Sequence, residues 1–328
     1  VAIRTLIDTD PGIDDALALI LALRSPDLQV EAVTTVCGNV TVDLTTRNAL
    51  RVLEIVAPSA PPVVARGADR PLAGPPRTAA HVFGEDGLGN LDRCVGPDGA
   101  PRYGEPRGHP APMPAHEVLL DAVRSVPGAF TLITLGPLTN LALALRQDPE
   151  ALRGLRRLVV MGGAVAAHGN VTPVAEFNAW ADPEAAQAVL ESGLPITLIG
   201  LDVTEQVQLL PEIIAERFAP RADPVSRLVC DMAPTILDFC VRIERAPGIT
   251  LHDPLAVAVA CDPTLVRTER LPVRVETRGE HTAGMTVVDR RPGASGRAGA
   301  AGAPLVDVAV AVDAERALEF IVDRLTRA

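Results

Sequence analysis

Arg4-Thr5-Leu6-Ile7-Asp8-Thr9-Asp10-Pro11-Gly12-Ile13-Asp14-Asp15-Ala16-Leu17 is the stretch on which the reading of this chain turns. A short apolar run ends in four aspartates, with the turn formers Pro11-Gly12 between them, and beyond Asp15 the apolar positions take helical spacing. This pattern predicts a buried strand, a tight turn and a helix whose first turn is acidic. Carboxylates in a first turn are commonplace, because they meet free N–H groups and the positive end of the helix dipole. That accounts for one or two acids, not for four at a strand end. Carboxylates held this close repel one another, so a positive charge belongs among them, and a hard divalent cation with oxygen ligands is the first candidate.

Outward from that stretch, short β-rich runs alternate with helical ones. Strands are expected over Ile3 to Asp8, Val30 to Val36, Val63 to Ala65, Phe130 to Leu135, Leu158 to Met161 and Ile196 to Ile199. Helices are expected over Asp14 to Leu23, Val42 to Val56 and Leu138 to Leu145, and Asp182-Pro183-Glu184 opens another with a capping Asp and Pro at its first position. The alternation predicts an α/β fold with a mostly parallel central sheet flanked by helices, a Rossmann-like core. Ligands of such sheets bind outside the carboxyl ends of the strands. Residues 66 to 113 break the pattern, and a loop of that length is a candidate functional segment. Residues 211 to 246 read as helical. Toward the end, Val273 to Thr277, Met285 to Val288 and Val306 to Val312 read as extra strands before a last helix from Ala314, and Arg291 to Pro304 reads as a Gly/Ala-rich hairpin loop. With no repeat and no boundary signal, residues 1–328 are expected to form one domain.

The 328 residues carry a net charge of −11, and all 30 basic residues are Arg, which argues against a nucleic-acid-binding stripe and excludes a catalytic Lys. The five cysteines are scattered and contain no C-x-x-C pair, which reads as reduced thiols and a cytoplasmic location. The chain as given opens directly on a strand pattern with no secretory signal, and no apolar run reaches the roughly 18 residues of a membrane span.

Three elements carry chemistry. The aspartates come first. Asp8-Thr9-Asp10 also resembles the D-x-D of haloacid-dehalogenase-type phosphotransferases, but these place Thr or Val where Gly12 stands, and use a basic residue, usually Lys, on the phosphate. The second element is Met161-Gly162-Gly163, Gly169-Asn170 and Glu176-Phe177-Asn178 leading to Asp182-Pro183. It lacks the G-K-[ST] ending of a phosphate loop. Asn170, Glu176 and Asn178 read either as turn and capping residues or as a set of amides and a carboxylate for sugar hydroxyls. The third is Leu251-His252-Asp253-Pro254 at the start of an apolar helix, where Asp253 is a further candidate metal ligand and His252 either caps the helix or points at substrate.

Together and in this order, these elements resemble the inosine–uridine-preferring nucleoside hydrolase family over nearly the whole chain. Supporting matches are Gly38-Asn39, Gly136-Pro137-Leu138-Thr139-Asn140 and Asp182-Pro183-Glu184-Ala185-Ala186. The resemblance implies a Ca2+ ion held by Asp10, Asp15, Asp253 and the backbone carbonyl of Leu135. It implies that Asp14, Asn178 and Asp253 engage the ribose 2′- and 3′-hydroxyls, that Asn170 and Glu176 meet the 5′-hydroxyl, that Met161 lines the sugar site and that Asn39 lies beside Asp10. The activity implied is hydrolysis of a ribonucleoside to ribose and free base through an oxocarbenium-like transition state, by direct attack of a calcium-bound water that Asp10 deprotonates, with His252 as acid toward the departing base. Two departures stand out. Many relatives carry His immediately before the Gly that corresponds to Gly84, where this chain has Phe83 with His81 two residues earlier. Relatives often carry tyrosines before His-Asp-Pro, where this chain reads Leu237-Asp238-Phe239-Cys240. Phe83 and Phe239 are therefore expected to form an apolar, stacking base pocket. Other readings are a modified ribosyl substrate, or a ribose- or nucleoside-binding protein with impaired catalysis. The family forms homodimers and homotetramers, and a small-molecule nucleoside is the expected partner.

Overall fold

The computed structural model describes residues 2–291 and 304–327, so most of the stretch expected as a hairpin loop lies outside the described residues. In chain order the first half comprises β1 (Ile3–Thr9), α1 (Ile13–Arg24), β2 (Leu28–Thr35), α2 (Val42–Val56), β3 (Val63–Arg66), α3 (Ala80–Phe83), α4 (Ala115–Ser125), β4 (Thr131–Thr134), α5 (Thr139–Gln147), α6 (Pro149–Leu152) and β5 (Arg157–Met161). The second half comprises α7 (Phe177–Ala181), α8 (Pro183–Leu190), β6 (Ile196–Ile199), α9 (Leu201–Thr204), β7 (Gln208–Leu209), α10 (Pro211–Arg217), α11 (Pro224–Phe239), a π-turn over Cys240–Glu244, β8 (Ile249–Thr250), α12 (His252–Cys261), β9 (Val266–Val275), β10 (Thr286–Val288), β11 (Leu305–Val312) and α13 (Ala314–Leu325).

Nine strands form one sheet in the order β10-β9-β11-β6-β5-β4-β1-β2-β3. Every pairing from β3 across to β11 is parallel, and β9 and β10 join antiparallel at the far edge. Successive residues of each central strand point to opposite faces. Ile7, Val33, Ile133, Val159 and Ile199 enter the core beneath α1, α2, α11, α12 and α13. Leu6, Ala32, Leu132, Leu158 and Leu198 enter the core beneath α4, α5 and α8. Burial on both faces is why these strands read as continuous apolar runs.

The strand order reverses direction at β1, between β4 and β2. The carboxyl ends of β1 and β4 therefore open a crevice, the usual ligand position in such sheets. The backbone amides of Val36 and Leu135 still bond Thr9 and Asp8 at 3.0 and 2.8 Å, so Asp10 leaves the sheet at the fork. Helix α1 is buried all round from Ile13 to Ala22, and α12 is buried from Asp253 to Ala260. A helix apolar on every side belongs inside a protein. These two pack directly on one another, with alternating Ala in α12 allowing close approach. Each fully buried Leu or Ile there contributes about 1.5–3 kcal/mol relative to exposure, so the first turns of both helices are held in register.

One expectation shifts. Strand β9 begins at Val266, seven residues before the expected start, because Arg267–Arg270 pair with β11 despite their polarity. Residues 211–246, expected to be helical, form α10 and α11, each opened by Pro at its first turn, and the π-turn after them, and Asp223 caps α11 through Ser226 N at 3.0 Å. Helix α4 escapes the sequence reading, though it is amphipathic, buries Leu119, Leu120 and Val123, and is followed by Pro127-Gly128.

Candidate active site

The fork in the sheet and the first turns of α1 and α12 bring the aspartates together. Asp15 is fully buried and caps the start of α1. Its Oδ1 accepts from Thr9 Oγ1 and, at 3.1 Å, from Asp10 N, and its Oδ2 accepts from Gly12 N at 3.0 Å and Asn39 Nδ2 at 2.9 Å. Asp10 Oδ2 accepts from Asn39 N at 2.7 Å, while Asp10 Oδ1 is buried with no hydrogen-bond partner. Asn39 thus lies beside Asp10, as expected, and its amide orders two carboxylates. Asp14 Oδ1 is likewise buried and unpartnered. Carboxylate oxygens of Asp14, Asp15 and Asp253 lie within 4.8 Å of one another. This triplet takes in Asp14 where the sequence reading used Asp10.

Two glycines make room for the Asp10 carboxylate. A Cβ on Gly38 would stand 2.0 Å from Asp10 Oδ2, and one on Gly136 would stand 2.4 Å from Asp10 Oδ1. The Gly38-Asn39 and Gly136-Pro137 matches therefore have a steric cause. Gly38→Ala is expected to displace the Asp10 carboxylate, a misplacement that costs about a hundredfold in kcat/KM wherever that carboxylate takes part in a reaction. Steady-state assay alongside a circular-dichroism spectrum checks it, and near-normal activity would show that Asp10 relaxes freely.

Asp8 faces away from this cluster's helices. Its Oδ1 accepts from Thr34 Oγ1 at 2.5 Å and Asn140 Nδ2 at 2.8 Å, and Asn140 also donates to Thr35 O at 2.9 Å, tying β1, β2 and α5. Burial raises the Asp8 carboxyl to about 7 against those hydrogen bonds. Burial, and then the neighbouring Asp15, raises the Asp10, Asp14 and Asp253 carboxyls well above the ordinary aspartate range. Among the described residues, none of these aspartates has an arginine partner. Clustered carboxylates, buried oxygens without donors and no compensating side-chain cation together fit a divalent metal ion, and the all-oxygen donor set fits a hard one.

A cavity of about 510 Å³ opens over the cluster, with Asp14 and Asp253 on its wall. Met161, Asn170, Glu176, Asn178, Leu135 and Asn39 line it as well. The capping reading of the second element is seen directly. Glu176 caps α7 through Asn178 N at 2.7 Å and Ala179 N at 3.0 Å, and also accepts from Gly163 N at 2.8 Å. Asn170 Oδ1 accepts from Phe177 N at 3.0 Å. Asn178 Nδ2 donates to Leu135 O at 2.6 Å, leaving that carbonyl one lone pair for another partner.

Apolar side chains share this wall. Phe83 and Phe239 both line it, and so does His81, whose ring meets Phe239 edge-on at 6.2 Å between centroids. The short helix α3 is what brings His81 and Phe83 to the same cavity. Sequence reasoning missed Phe177, Trp180, Ile236 and Glu244 on this wall, which have no signature beyond composition. It also missed Thr204. Strands β7 and β8 pair antiparallel and carry α9 to the start of α12, where Thr204 Oγ1 lies 2.8 Å from His252 Nδ1. Burial lowers the His252 imidazole to about 4, so it is neutral near pH 7.

A family model described as inosine-uridine preferring nucleoside hydrolase matches residues 5–319. The chain belongs to this family. It is 42% identical over 293 residues to a protein of Citrobacter koseri named pyrimidine-specific ribonucleoside hydrolase RihA, covering 88% of each chain. It is 40% identical over 288 residues to a protein of Salmonella enteritidis named non-specific ribonucleoside hydrolase RihC, again covering 88% of each. Among solved structures, a plant nucleoside hydrolase superposes with a TM-score of 0.92 at 33% identity over 100% of both chains. A purine-preferring ribonucleoside hydrolase from Gardnerella vaginalis gives 0.88 at 30% identity over 98% of both. The chain is accordingly a glycosidase that hydrolyses the N-glycosidic bond of nucleosides, with an aspartate triplet suited to a metal ion and water activation.

Proposed function

We propose that this enzyme is a calcium-dependent hydrolase of ribonucleosides, acting foremost on the pyrimidine ones. The observation that carries this reading is the mixed lining of one cavity, where the carboxylates of Asp14 and Asp253 and the amides of Asn39 and Asn178 share the wall with Phe83, Phe239 and other apolar side chains. The polar groups suit a ribose diol and the aromatic ones a planar base. Preference for pyrimidines is supported by the printed names of relatives that are 42–44% identical over 87–88% of this chain.

Asp10, Asp15, Asp253 and the Leu135 carbonyl would hold the ion. When bound, it supplies positive charge that offsets the carboxylates, binds oxygen ligands including the sugar diol, and makes a water more acidic. The chain's own residues do the rest. Asp14, Asp253 and Asn178 hold the 2′- and 3′-hydroxyls, and Asn170 and Glu176 receive the 5′ end. Their carboxylates and amide oxygens stabilise the positive charge that develops on the ribosyl ring. Asp10, with Oδ2 fixed by Asn39 and Oδ1 unpartnered, takes the proton from the attacking water, and no covalent ribosyl–enzyme adduct forms. The Thr204 contact fixes the ring of His252, which serves the departing base through its other nitrogen. Because His252 is neutral in the free protein, it acts as an N–H donor or gains its proton only in the complex.

The test is release of reducing sugar from uridine, cytidine, inosine and adenosine, with uridine 5′-monophosphate alongside. Uridine and cytidine are expected to react fastest. No arginine lines the cavity, and Glu176 faces the 5′ position, so the phosphate ester is expected to react at least about a hundredfold more slowly than uridine. Release from none of the nucleosides would defeat the reading. His252→Ala is expected to reduce uridine hydrolysis by about 10²–10⁴-fold and nitrophenyl riboside hydrolysis far less, since that leaving group needs no proton. Equal losses would make His252 a structural residue.

The unpaired state of all five cysteines supports a cytoplasmic setting, and among the described residues no helix is long and apolar enough to cross a membrane. The family resemblance supports a homodimer or homotetramer.

A further inference from the structure

One charged side chain on the cavity wall, Glu244, is used neither by the metal cluster nor by the sugar contacts. Glu244 ends the π-turn Cys240–Glu244, which continues directly from α11. π-Turns of this kind cost backbone hydrogen-bond geometry and recur at functional sites. The next residue, Arg245, is held in the left-handed region at φ 60°, an uncommon conformation for a side chain of that size. The turn has the effect of setting Glu244 on a wall otherwise built from Ile236, Phe239 and Ile243. Arg242 and Arg245 do not neutralise it: Arg242 pairs with Asp238, and no ion pair to Glu244 occurs among the described residues. Burial pushes the Cys240 thiol up to about 12, and the neighbouring Glu244 carboxylate adds to that rise. A carboxylate has about four acceptor sites, more than one thiol could occupy. The Glu244 side chain is itself exposed, so a ligand entering the cavity can reach it.

A carboxylate only accepts, so on a nucleoside site it matches a donor on the base. Uracil carries N3–H and cytosine an exocyclic amino group, and the purine bases carry such donors too. We propose that Glu244 orients the base by accepting a hydrogen bond from an N–H of its Watson–Crick edge. The inference rests on the nucleoside-hydrolase reading of the same cavity. Hydrogen bonds to charged groups are stronger than neutral ones, and a site built to pair with an N–H discriminates against an analogue lacking it.

The experiment compares uridine with 3-methyluridine, and cytidine with N4,N4-dimethylcytidine, in the full-length enzyme with calcium present. Wild-type kcat/KM is expected to be at least tenfold higher for the unmethylated member of each pair. In Glu244→Leu, which keeps the bulk and removes the acceptor, the unmethylated rates are expected to fall toward the methylated ones, so both ratios approach one. In Glu244→Gln, whose carbonyl still accepts, part of the preference is expected to return. Nitrophenyl riboside, which has no such N–H, is assayed in parallel to report on folding and the sugar contacts. An undiminished preference in Glu244→Leu, the result expected from steric exclusion of the methyl group alone, overturns the proposal, as does equal wild-type reaction of both members. Failure of wild type on every nucleoside and on nitrophenyl riboside instead overturns the reading beneath it.

Discussion

Asp10→Ala is expected to lower kcat on the order of 10³-fold or more, measured as ribose release under saturating calcium. On the proposed mechanism two functions are lost at once, the proton acceptor and a cation-facing oxygen, and such losses do not add independently. The fold is expected to survive. Asp10 lies past the last ladder pairings of β1, and its carboxylate is bonded only to the Asn39 amide. In calcium-free protein the conservative Asp10→Asn is expected to raise Tm, because the wild-type carboxyl is destabilised by burial and by Asp15. A charge that is costly without its ion is kept for chemistry rather than stability. Turnover of Asp10→Ala within tenfold of wild type would remove Asp10 from the reaction.

Removal of calcium is the second large effect. Dialysis against a calcium chelator is expected to abolish nucleoside hydrolysis, and added Ca2+ to restore it, with Mg2+ restoring less because Mg2+ demands tighter octahedral geometry and gives up water reluctantly. Ligand that binds only the native state stabilises it by roughly 2.7 kcal/mol at a hundred times its Kd, so Tm is expected to rise by a few degrees on calcium addition. The rise should be much smaller in Asp253→Ala, which removes one member of the triplet whose oxygens lie within 4.8 Å. Full activity in thoroughly chelated enzyme would rule out a metal requirement.

The two predictions draw on different levels of information. From sequence alone, β1, α1 and α2 were legible nearly to the residue, because their periods are clean and their ends carry Pro, Gly and Asp. The acidic turn was legible as a site that needs a cation, since four aspartates at a strand end exceed what helix capping requires. Strand β9 was read seven residues late because its charged first half is held by pairing with β11, a partner far off in sequence. Helix α4 is hard to see from sequence because it follows directly on the long irregular segment 66–113, although Pro127-Gly128 marks its end.

What the chain's residues determined by themselves was local: strand, turn, capping acids, and the glycines beside them. What the tertiary structure decided was convergence. The fork of β1 and β4, and the packing of α1 on α12, bring Asp253 to within reach of Asp14 and Asp15 across more than two hundred residues. Nothing in the segment before His252 reveals that a π-turn sets Glu244 on the cavity wall, or that β7 and β8 bring Thr204 to His252. Spacing rules describe neighbours along one helix or strand, whereas a binding cavity is formed by side chains from many elements, whose meeting depends on how the two cores close over the sheet.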